Sequence, residues 1–118
     1  MGRLSTHVLD TANGKPAEGV TIRLYRLAAD GVRAHVVSAT TNPDGRTDLP
    51  LLAGDDYAPG SYEIEFHVGA YFMASGTLSS ETPFLDVVPV RFTMSEADGD
   101  YHVPLLASPY GYTTYRGS

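Results

Sequence analysis

The chain has 118 residues with a formal net charge of −6, and it contains neither Cys nor Trp. This acidic balance disfavours a nucleic-acid partner, because phosphate binding needs clustered Lys and Arg, and the lack of Cys excludes disulfides and thiolate metal sites. The length predicts a single domain over residues 1–118, and no apolar run reaches the length of a membrane span. Since the first residues also lack the apolar core of a signal peptide, the sequence predicts a cytoplasmic protein.

Short segments of alternating apolar and polar residues, separated by Gly, Pro, Asn and Asp, indicate an all-β chain. Val20, Ile22 and Leu24, for example, fall on one face of a predicted strand. Strands are predicted at 3–11, 19–27, 32–41, 61–69 and 87–94, with a short apolar piece at 49–52 and further strands within 101–115. A short helix is predicted at 70–76, because Ala and Met favour helix and Gly76 would end it.

Prolines mark edges and breaks in the second half of the chain. Proline cannot donate to a hydrogen-bonded ladder, so Pro89 predicts that 87–94 is an edge strand or carries a bulge. Pro104 and Pro109 are predicted to divide the C-terminal stretch into two strands, with a turn at Ser108-Pro109. Because this stretch is apolar and aromatic where most termini are polar, we expect it to be docked in a groove or against a partner chain.

Seven or eight short strands with regular turns predict a two-sheet β-sandwich with one short helix. Exposed sheet edges must be protected, so an edge strand and an aromatic C-terminus together predict that edges pair between chains. A small domain without disulfides often gains stability by forming an oligomer in this way.

Four histidines are candidates for acid–base or metal chemistry. His35 and His67 alternate outward among polar neighbours, which is typical of surface residues. His7 and His102 instead project from strand faces where charged residues are scarce, and such a pair suits proton transfer near neutral pH. Zinc binding is the other interpretation. The chain has no HxH or HxxxH spacing and no Cys, however, so no metal site is predicted.

Arg46 and Arg116 are the two arginines placed by a rigid turn or by the chain terminus. Arg46 follows the β-turn at 42–45, in which Pro43 and Gly45 occupy favoured positions. A guanidinium so placed would clamp a planar polar ligand through its fork of donors, although most arginines are simply solvated. Because GxSxG motifs and phosphate-binding loops are absent, water would be the nucleophile if the chain is a hydrolase.

Three separated blocks carry motifs: LSTHVLDT at 4–11, TNPDGR at 41–46, and a third block that runs from YHVPLL at 101–106 to YRGS at 115–118. In this order they resemble the 5-hydroxyisourate hydrolases, the transthyretin-like enzymes of urate breakdown. The resemblance implies a transthyretin-like β-sandwich and no metal or organic cofactor. It also implies a homotetramer, a dimer of dimers, with active sites in a channel where the dimers meet. Ser5 is a small variation within the first motif and does not weaken the resemblance.

The resemblance also implies which residues carry the reaction. The catalytic set falls on His7, Arg46 and His102. The substrate-binding set comprises His7, Arg46, Tyr115, Arg116, Gly117 and Ser118. The implied reaction is hydrolysis of 5-hydroxyisourate to 2-oxo-4-hydroxy-4-carboxy-5-ureidoimidazoline, with a histidine as general base and the arginine as substrate clamp. Which histidine is the base stays open, and the alternative function is a non-catalytic transthyretin-like module that binds a small molecule.

Overall fold

The computed structural model describes residues 2–78 and 82–117, which form two β-sheets and one α-helix. The elements in chain order are β1 (Arg3–Asp10), β2 (Lys15–Pro16), β3 (Thr21–Leu27), β4 (Arg33–Thr40), β5 (Leu52–Ala53), β6 (Gly60–Phe66), α1 (Val68–Ala74), β7 (Val88–Met94), β8 (Asp100–Ser108) and β9 (Gly111–Thr114). The predicted two-sheet sandwich is therefore confirmed. The described residues form nine strands, whereas seven or eight were expected. Two of the nine, β2 and β5, are only two residues long.

The first sheet brings the two ends of the chain together. Its strand order is β2-β1-β8-β9, with β5 pairing the start of β1. β1 and β8 run parallel, with Ser5 opposite His102 and His7 opposite Pro104. The second sheet has the order β4-β3-β6-β7, and all its neighbours are antiparallel.

The core lies between the sheets and follows the predicted alternation. Along β1, Leu4, Thr6 and Val8 are buried, while Ser5 and the following odd-numbered positions are half-buried on the outer face. The largest fully buried side chains are Tyr62, Phe66, Phe72, Leu4, Ile22, Leu24 and Ile64. Each such side chain contributes about 1.5–3 kcal/mol by leaving water. The period of two thus sends a core face inward and a polar face outward on the strand that carries His7.

The prediction of a strand at 61–69 was wrong at the C-terminal end of that segment. β6 stops at Phe66, and the helix predicted at 70–76 spans Val68–Ala74 instead. Val68 is buried, as the alternation required, but it is buried as the first residue of a helix whose apolar side chains join the core. The Gly69 N–H donates to the Asp86 carbonyl at 2.9 Å, which anchors that first turn.

The prolines mark the edges largely as predicted. Pro89 is exposed on β7, which is the last strand of the second sheet, so its missing donor costs no ladder bond. Pro109 lies in the turn between β8 and β9. The prediction that Pro104 also breaks the stretch was wrong, because Pro104 is buried within β8. Within residues 2–78 and 82–117, no helix is long and apolar enough to span a membrane.

Candidate active site

The parallel pairing of β1 and β8 brings His7 and His102 together. Because Ser5 lies opposite His102, His7 stands two residues further along the same outer face of the sheet. The centroids of the two imidazole rings are 6.4 Å apart, and both side chains are half-buried. The residues singled out from opposite ends of the chain therefore share one place on the sheet surface.

The turn at 42–45 delivers Arg46 to the same place. The Gly45 N–H donates to the Asn42 carbonyl at 2.8 Å, and Arg46 forms a β-bridge with His7. Gly45 has a φ of 76°, and a side-chain carbon there would collide with the Val8 carbonyl oxygen, so only Gly allows this close approach. The turn chemistry thus fixes the backbone of Arg46 beside His7, while the Arg46 side chain is exposed.

A backbone carbonyl determines which nitrogen of His7 carries the proton. The Nε2 atom lies 2.9 Å from the carbonyl oxygen of Asp44. A carbonyl oxygen only accepts hydrogen bonds, so Nε2 must donate and the neutral ring holds its lone pair on Nδ1. Nδ1 is therefore the atom of His7 that can accept a proton.

The His102 ring is contacted along both of its edges. Its Nδ1 atom lies 2.9 Å from the hydroxyl oxygen of Ser5. On the other edge, a Cβ added at Gly117 would lie only 2.6 Å from Cδ2, so the C-terminal segment packs directly against the imidazole. The Gly117 N–H donates to the His102 carbonyl at 2.7 Å and closes a β-bridge. Sequence reasoning missed Ser5, although its spacing of two from His7 put it on the same face.

The electrostatics of this face keep both imidazoles neutral. Burial lowers the pKa of His7, and the nearby Arg46 cation lowers it further, against the opposing influence of Asp44. Burial, Arg46 and His7 lower the pKa of His102, which Asp100 only partly offsets. The Arg46 cation therefore influences both rings in the same direction. Two neutral imidazoles beside a guanidinium can accept a proton and stabilise a developing negative charge.

Two of the other predicted C-terminal residues, Tyr115 and Arg116, have neighbours outside the imidazole pair. The Arg116 guanidinium lies 4.1 Å from the ring centroid of Tyr101 and 3.5 Å from a carboxylate oxygen of Glu96. Tyr115 is exposed and lines a groove between β7 and β9. Ser118 lies outside the described residues. The structure thus brings His7, His102, Gly117 and the backbone of Arg46 together, and it places the Arg116 side chain beside Tyr101 and Glu96.

The two remaining histidines lie on or beside the second sheet. His35 is exposed on β4, where its Nε2 is 2.8 Å from the hydroxyl of Ser38. His67 precedes α1, with its Nε2 3.7 Å from a carboxylate oxygen of Glu65. Among the residues that the structure describes, no group of three or more His, Cys, Asp or Glu side chains could hold a metal ion.

Fold and site together define a transthyretin-like β-sandwich whose first sheet carries a histidine pair and an arginine. The model of the HIUase/Transthyretin family matches residues 4–117. The 5-hydroxyisourate hydrolase 2 of Rhizobium meliloti is 55% identical over 99% of this chain and 97% of its own length. The 5-hydroxyisourate hydrolase of Mesorhizobium japonicum is 58% identical over 99% of this chain and 93% of its own length. The chain belongs to the HIUase/Transthyretin family, and it is a hydrolase.

Solved structures share the fold over the whole chain. The 5-hydroxyisourate hydrolase of Klebsiella pneumoniae superposes with a TM-score of 0.81 at 33% identity, covering 100% of both chains. Transthyretin from Sparus aurata has a TM-score of 0.86 at 30% identity and covers 99% of this chain and 97% of its own. An (S)-allantoin synthase has a TM-score of 0.91 at 47% identity; 99% of this chain matches only 44% of that longer one.

Proposed function

We propose that this chain hydrolyses 5-hydroxyisourate, opening its ring with water to give 2-oxo-4-hydroxy-4-carboxy-5-ureidoimidazoline. The observation that carries the proposal is the pair of imidazoles with centroids 6.4 Å apart, one from each end of the chain, beside the arginine that follows the turn. The names of the relatives at 55% and 58% identity support the choice of substrate. Hydrolysis by water is accelerated by acid–base groups, and this face provides two imidazoles.

In the proposed reaction, one imidazole removes a proton from water as the water oxygen attacks a ring carbonyl. The new C–O bond forms, the ring C–N bond breaks, and the departing nitrogen takes up a proton. His7 offers Nδ1 as a base because its Nε2 is committed to the Asp44 carbonyl. His102 is the second base candidate, and the lowered pKa of both rings keeps them unprotonated near neutral pH. General-base help of this kind is worth about 10²–10⁴-fold in rate.

Arg46 is proposed to hold the substrate's oxygens and to stabilise the negative charge that develops on the attacked carbonyl. Its guanidinium is exposed, and among the described residues it makes no ion pair. A cation that is not already neutralised keeps its charge for the ligand. One donor aimed at a developing oxyanion is worth about 10²–10³-fold in rate.

The remaining predictions from sequence are part of the same proposal. We propose that residues 1–118 act as one domain, that the chain assembles as a homotetramer, and that it works in the cytoplasm without a cofactor. Tyr115, Arg116, Gly117 and Ser118 are proposed to line the substrate site of that assembly. The contact of Gly117 with the His102 ring supports this role for the C-terminal segment.

A transthyretin-like module that binds a small molecule without turnover is the alternative function. It is favoured by the TM-score of 0.86 to transthyretin from Sparus aurata, at 30% identity. It predicts saturable binding of the substrate without faster ring opening. The higher identity to the hydrolases and the neutral histidine pair favour catalysis over simple binding.

The test is a spectroscopic assay with freshly generated 5-hydroxyisourate, in which the enzymatic rate is compared with spontaneous ring opening. The wild-type chain should accelerate the reaction, and His102→Ala should lose about 10²–10⁴-fold of kcat. His35→Ala is the matched control, because His35 is an exposed strand histidine of the other sheet. A wild-type chain that leaves the spontaneous rate unchanged, or a fully active His102→Ala, would contradict the proposal.

A further inference from the structure

A serine two residues before His7 contacts the other histidine of the site. The Ser5 hydroxyl oxygen and His102 Nδ1 are 2.9 Å apart across the parallel β1–β8 pair, although the two residues are 97 positions apart in the chain. Both side chains are half-buried, which limits competition from water. The contact therefore arises from the strand register itself.

We propose that Ser5 is a positioning residue for His102: its hydroxyl accepts the Nδ1–H and leaves Nε2 as the basic nitrogen of the ring. The proposal rests on the function proposed above, since it explains how one of the two imidazoles is prepared for proton transfer. A hydroxyl can donate or accept, and only the accepting arrangement persists when the ring gains a second proton, because both nitrogens of an imidazolium are donors. With Nδ1 as the donor, the neutral ring keeps its lone pair on Nε2.

The other edge of the ring explains why this orientation persists. Gly117 lies against Cδ2 so closely that a Cβ would come within 2.6 Å of that atom. Turning the imidazole over would move Nδ1 toward this glycine and away from the hydroxyl, at the loss of the hydrogen bond. Ser5 and Gly117 therefore hold opposite edges of the ring. Nε2, which has no hydrogen-bond partner within residues 2–78 and 82–117, keeps one position.

The same contact supports the ring after it has accepted a proton. When Nε2 takes the proton from water, the ring becomes an imidazolium and its Nδ1–H carries part of the positive charge. The hydrogen bond to the Ser5 oxygen then becomes charge-assisted and stronger. This gain is larger in the transition state than in the ground state, so it increases kcat more than it decreases KM.

The chain offers a conservative rescue and a matched control. Ser5→Ala removes the hydroxyl, whereas Ser5→Thr keeps it and suits a strand. Ser38→Ala removes the serine of the second Ser–His contact, in which the Ser38 hydroxyl lies 2.8 Å from His35 Nε2 on the exposed strand β4. We expect kcat to fall about five- to tenfold in Ser5→Ala, with KM within about twofold. Ser5→Thr and Ser38→Ala should stay within about twofold of wild type in kcat.

A second measurement does not depend on turnover. The ¹⁵N shifts of the His102 ring above its pKa should show a protonated Nδ1 in the wild-type chain, and Ser5→Ala should move the proton toward Nε2. A wild-type Nε2–H tautomer, an unchanged tautomer in Ser5→Ala, or equal losses in Ser5→Ala and Ser5→Thr would overturn the proposal. If the wild-type chain does not hydrolyse 5-hydroxyisourate, the proposed function fails, while the ¹⁵N spectra still decide the role of Ser5.

Discussion

The two imidazoles of the site are held through different nitrogens. His7 is held through Nε2 by the carbonyl of Asp44, and His102 through Nδ1 by the hydroxyl of Ser5. A carbonyl can only accept, whereas a hydroxyl can donate or accept. The tautomer of His7 therefore follows from the backbone alone, while that of His102 depends on a single side chain. Small changes at residue 5 should accordingly alter one ring and leave the other unchanged.

The proposed reaction should remain fast somewhat below the ordinary pKa of histidine. Burial and Arg46 lower the pKa of both His7 and His102, and the proposed base is an unprotonated ring. Lowering its pKa moves the acid limb of the rate profile to lower pH. We expect the midpoint of that limb to lie below about 6.5, the value of a free imidazole.

Initial rates measured above and below about pH 6.5 give the midpoint of the acid limb, and an NMR titration of the imidazole protons gives the two pKa values. Arg46→Gln removes the nearby cation, so both imidazole pKa values should rise toward the ordinary value. A midpoint above the free-imidazole value in the wild-type chain, or pKa values that do not respond to Arg46→Gln, would refute this account of the site.

Gly117 should be intolerant of even one added carbon. An alanine Cβ would lie 2.6 Å from His102 Cδ2, so either the ring or the C-terminal segment must shift. We expect Gly117→Ala to lose about tenfold or more in kcat while its stability changes by less than about 1 kcal/mol. Gly111→Ala is the matched control, since a Cβ there meets only the Ser108 hydroxyl oxygen, at 3.9 Å. Equal activities of the two variants would show that the contact with His102 is unimportant.

At the scale of elements, one buried carboxylate joins the helix to the strand of His7. Asp10 ends β1, and its oxygens accept from the backbone N–H groups of Ala12 and Asn13, from the Asn13 amide and from the Tyr71 hydroxyl. Burial alone would raise the pKa of Asp10, but these hydrogen bonds outweigh it and lower the pKa. Burial and the same carboxylate raise the pKa of Tyr71 to about 12. The helix thus depends on a charge-assisted bond to keep its place.

Removing the Tyr71 hydroxyl should therefore lower the free energy of unfolding more than removing a comparable hydroxyl elsewhere. Tyr71→Phe should lower the free energy of unfolding by about 1.5–3 kcal/mol, because its bond goes to a charged group. Tyr57 is equally buried, and its hydroxyl donates to the backbone carbonyl of Glu96, an uncharged acceptor, at the same distance of 2.7 Å. Tyr57→Phe should cost about 1 kcal/mol. Urea unfolding of both variants gives the comparison, and an equal loss would contradict the role of the charge.

The dependence of stability on pH gives a second check on this network. A carboxyl group with a lowered folded-state pKa contributes stability that is present above its unfolded pKa and is lost as the pH falls through its folded pKa. Tyr71→Phe weakens the hydrogen bonding of Asp10 and raises its folded pKa toward the unfolded value. The difference in stability between wild type and Tyr71→Phe should therefore shrink as the pH falls below about 4. A difference that stays constant would exclude Asp10 as the cause.

At the scale of the whole molecule, both sheets end in strands that lie beside a common groove. β7 and β9 are the last strands of their sheets in the part of the chain that the structure describes. The groove between them has a volume of about 230 Å³. Its apolar and aromatic lining includes Val90, Phe92, Tyr101, Val103 and Tyr115. Unpaired edges beside an apolar groove favour the proposed pairing between chains.

The proposed homotetramer should have four times the 12.7 kDa mass of the chain. Sedimentation velocity over about a hundredfold range of concentration measures it. Lysine on an edge strand disfavours pairing, so Thr113→Lys on β9 should shift the population toward smaller species. Thr40→Lys, at an exposed position of the opposite edge strand β4, is the control and should keep the wild-type mass. A wild-type chain that is monomeric throughout would contradict the assembly.

The sequence by itself determined the class of fold, because period-two burial and turn chemistry are local. The core face of β1, the edge position of Pro89 and the turn before Arg46 all followed from residues within a few positions of one another. The motifs, read in order, also pointed to His7 and His102 by resemblance. Local pattern misjudged the end of β6, because buried alternation does not distinguish a strand from the first turn of a packed helix. It also misjudged Pro104, which lies within β8 and does not end it.

Tertiary structure alone decided how these residues meet. The parallel register of β1 and β8 is a pairing between the two ends of the chain, and no local pattern specifies it. That register puts the Ser5 hydroxyl on His102 and brings the two rings together. It also allows the C-terminal segment to pack against the imidazole through Gly117. The chemistry of this site depends on distances between atoms remote in sequence, and such distances exist only after the sheet has formed.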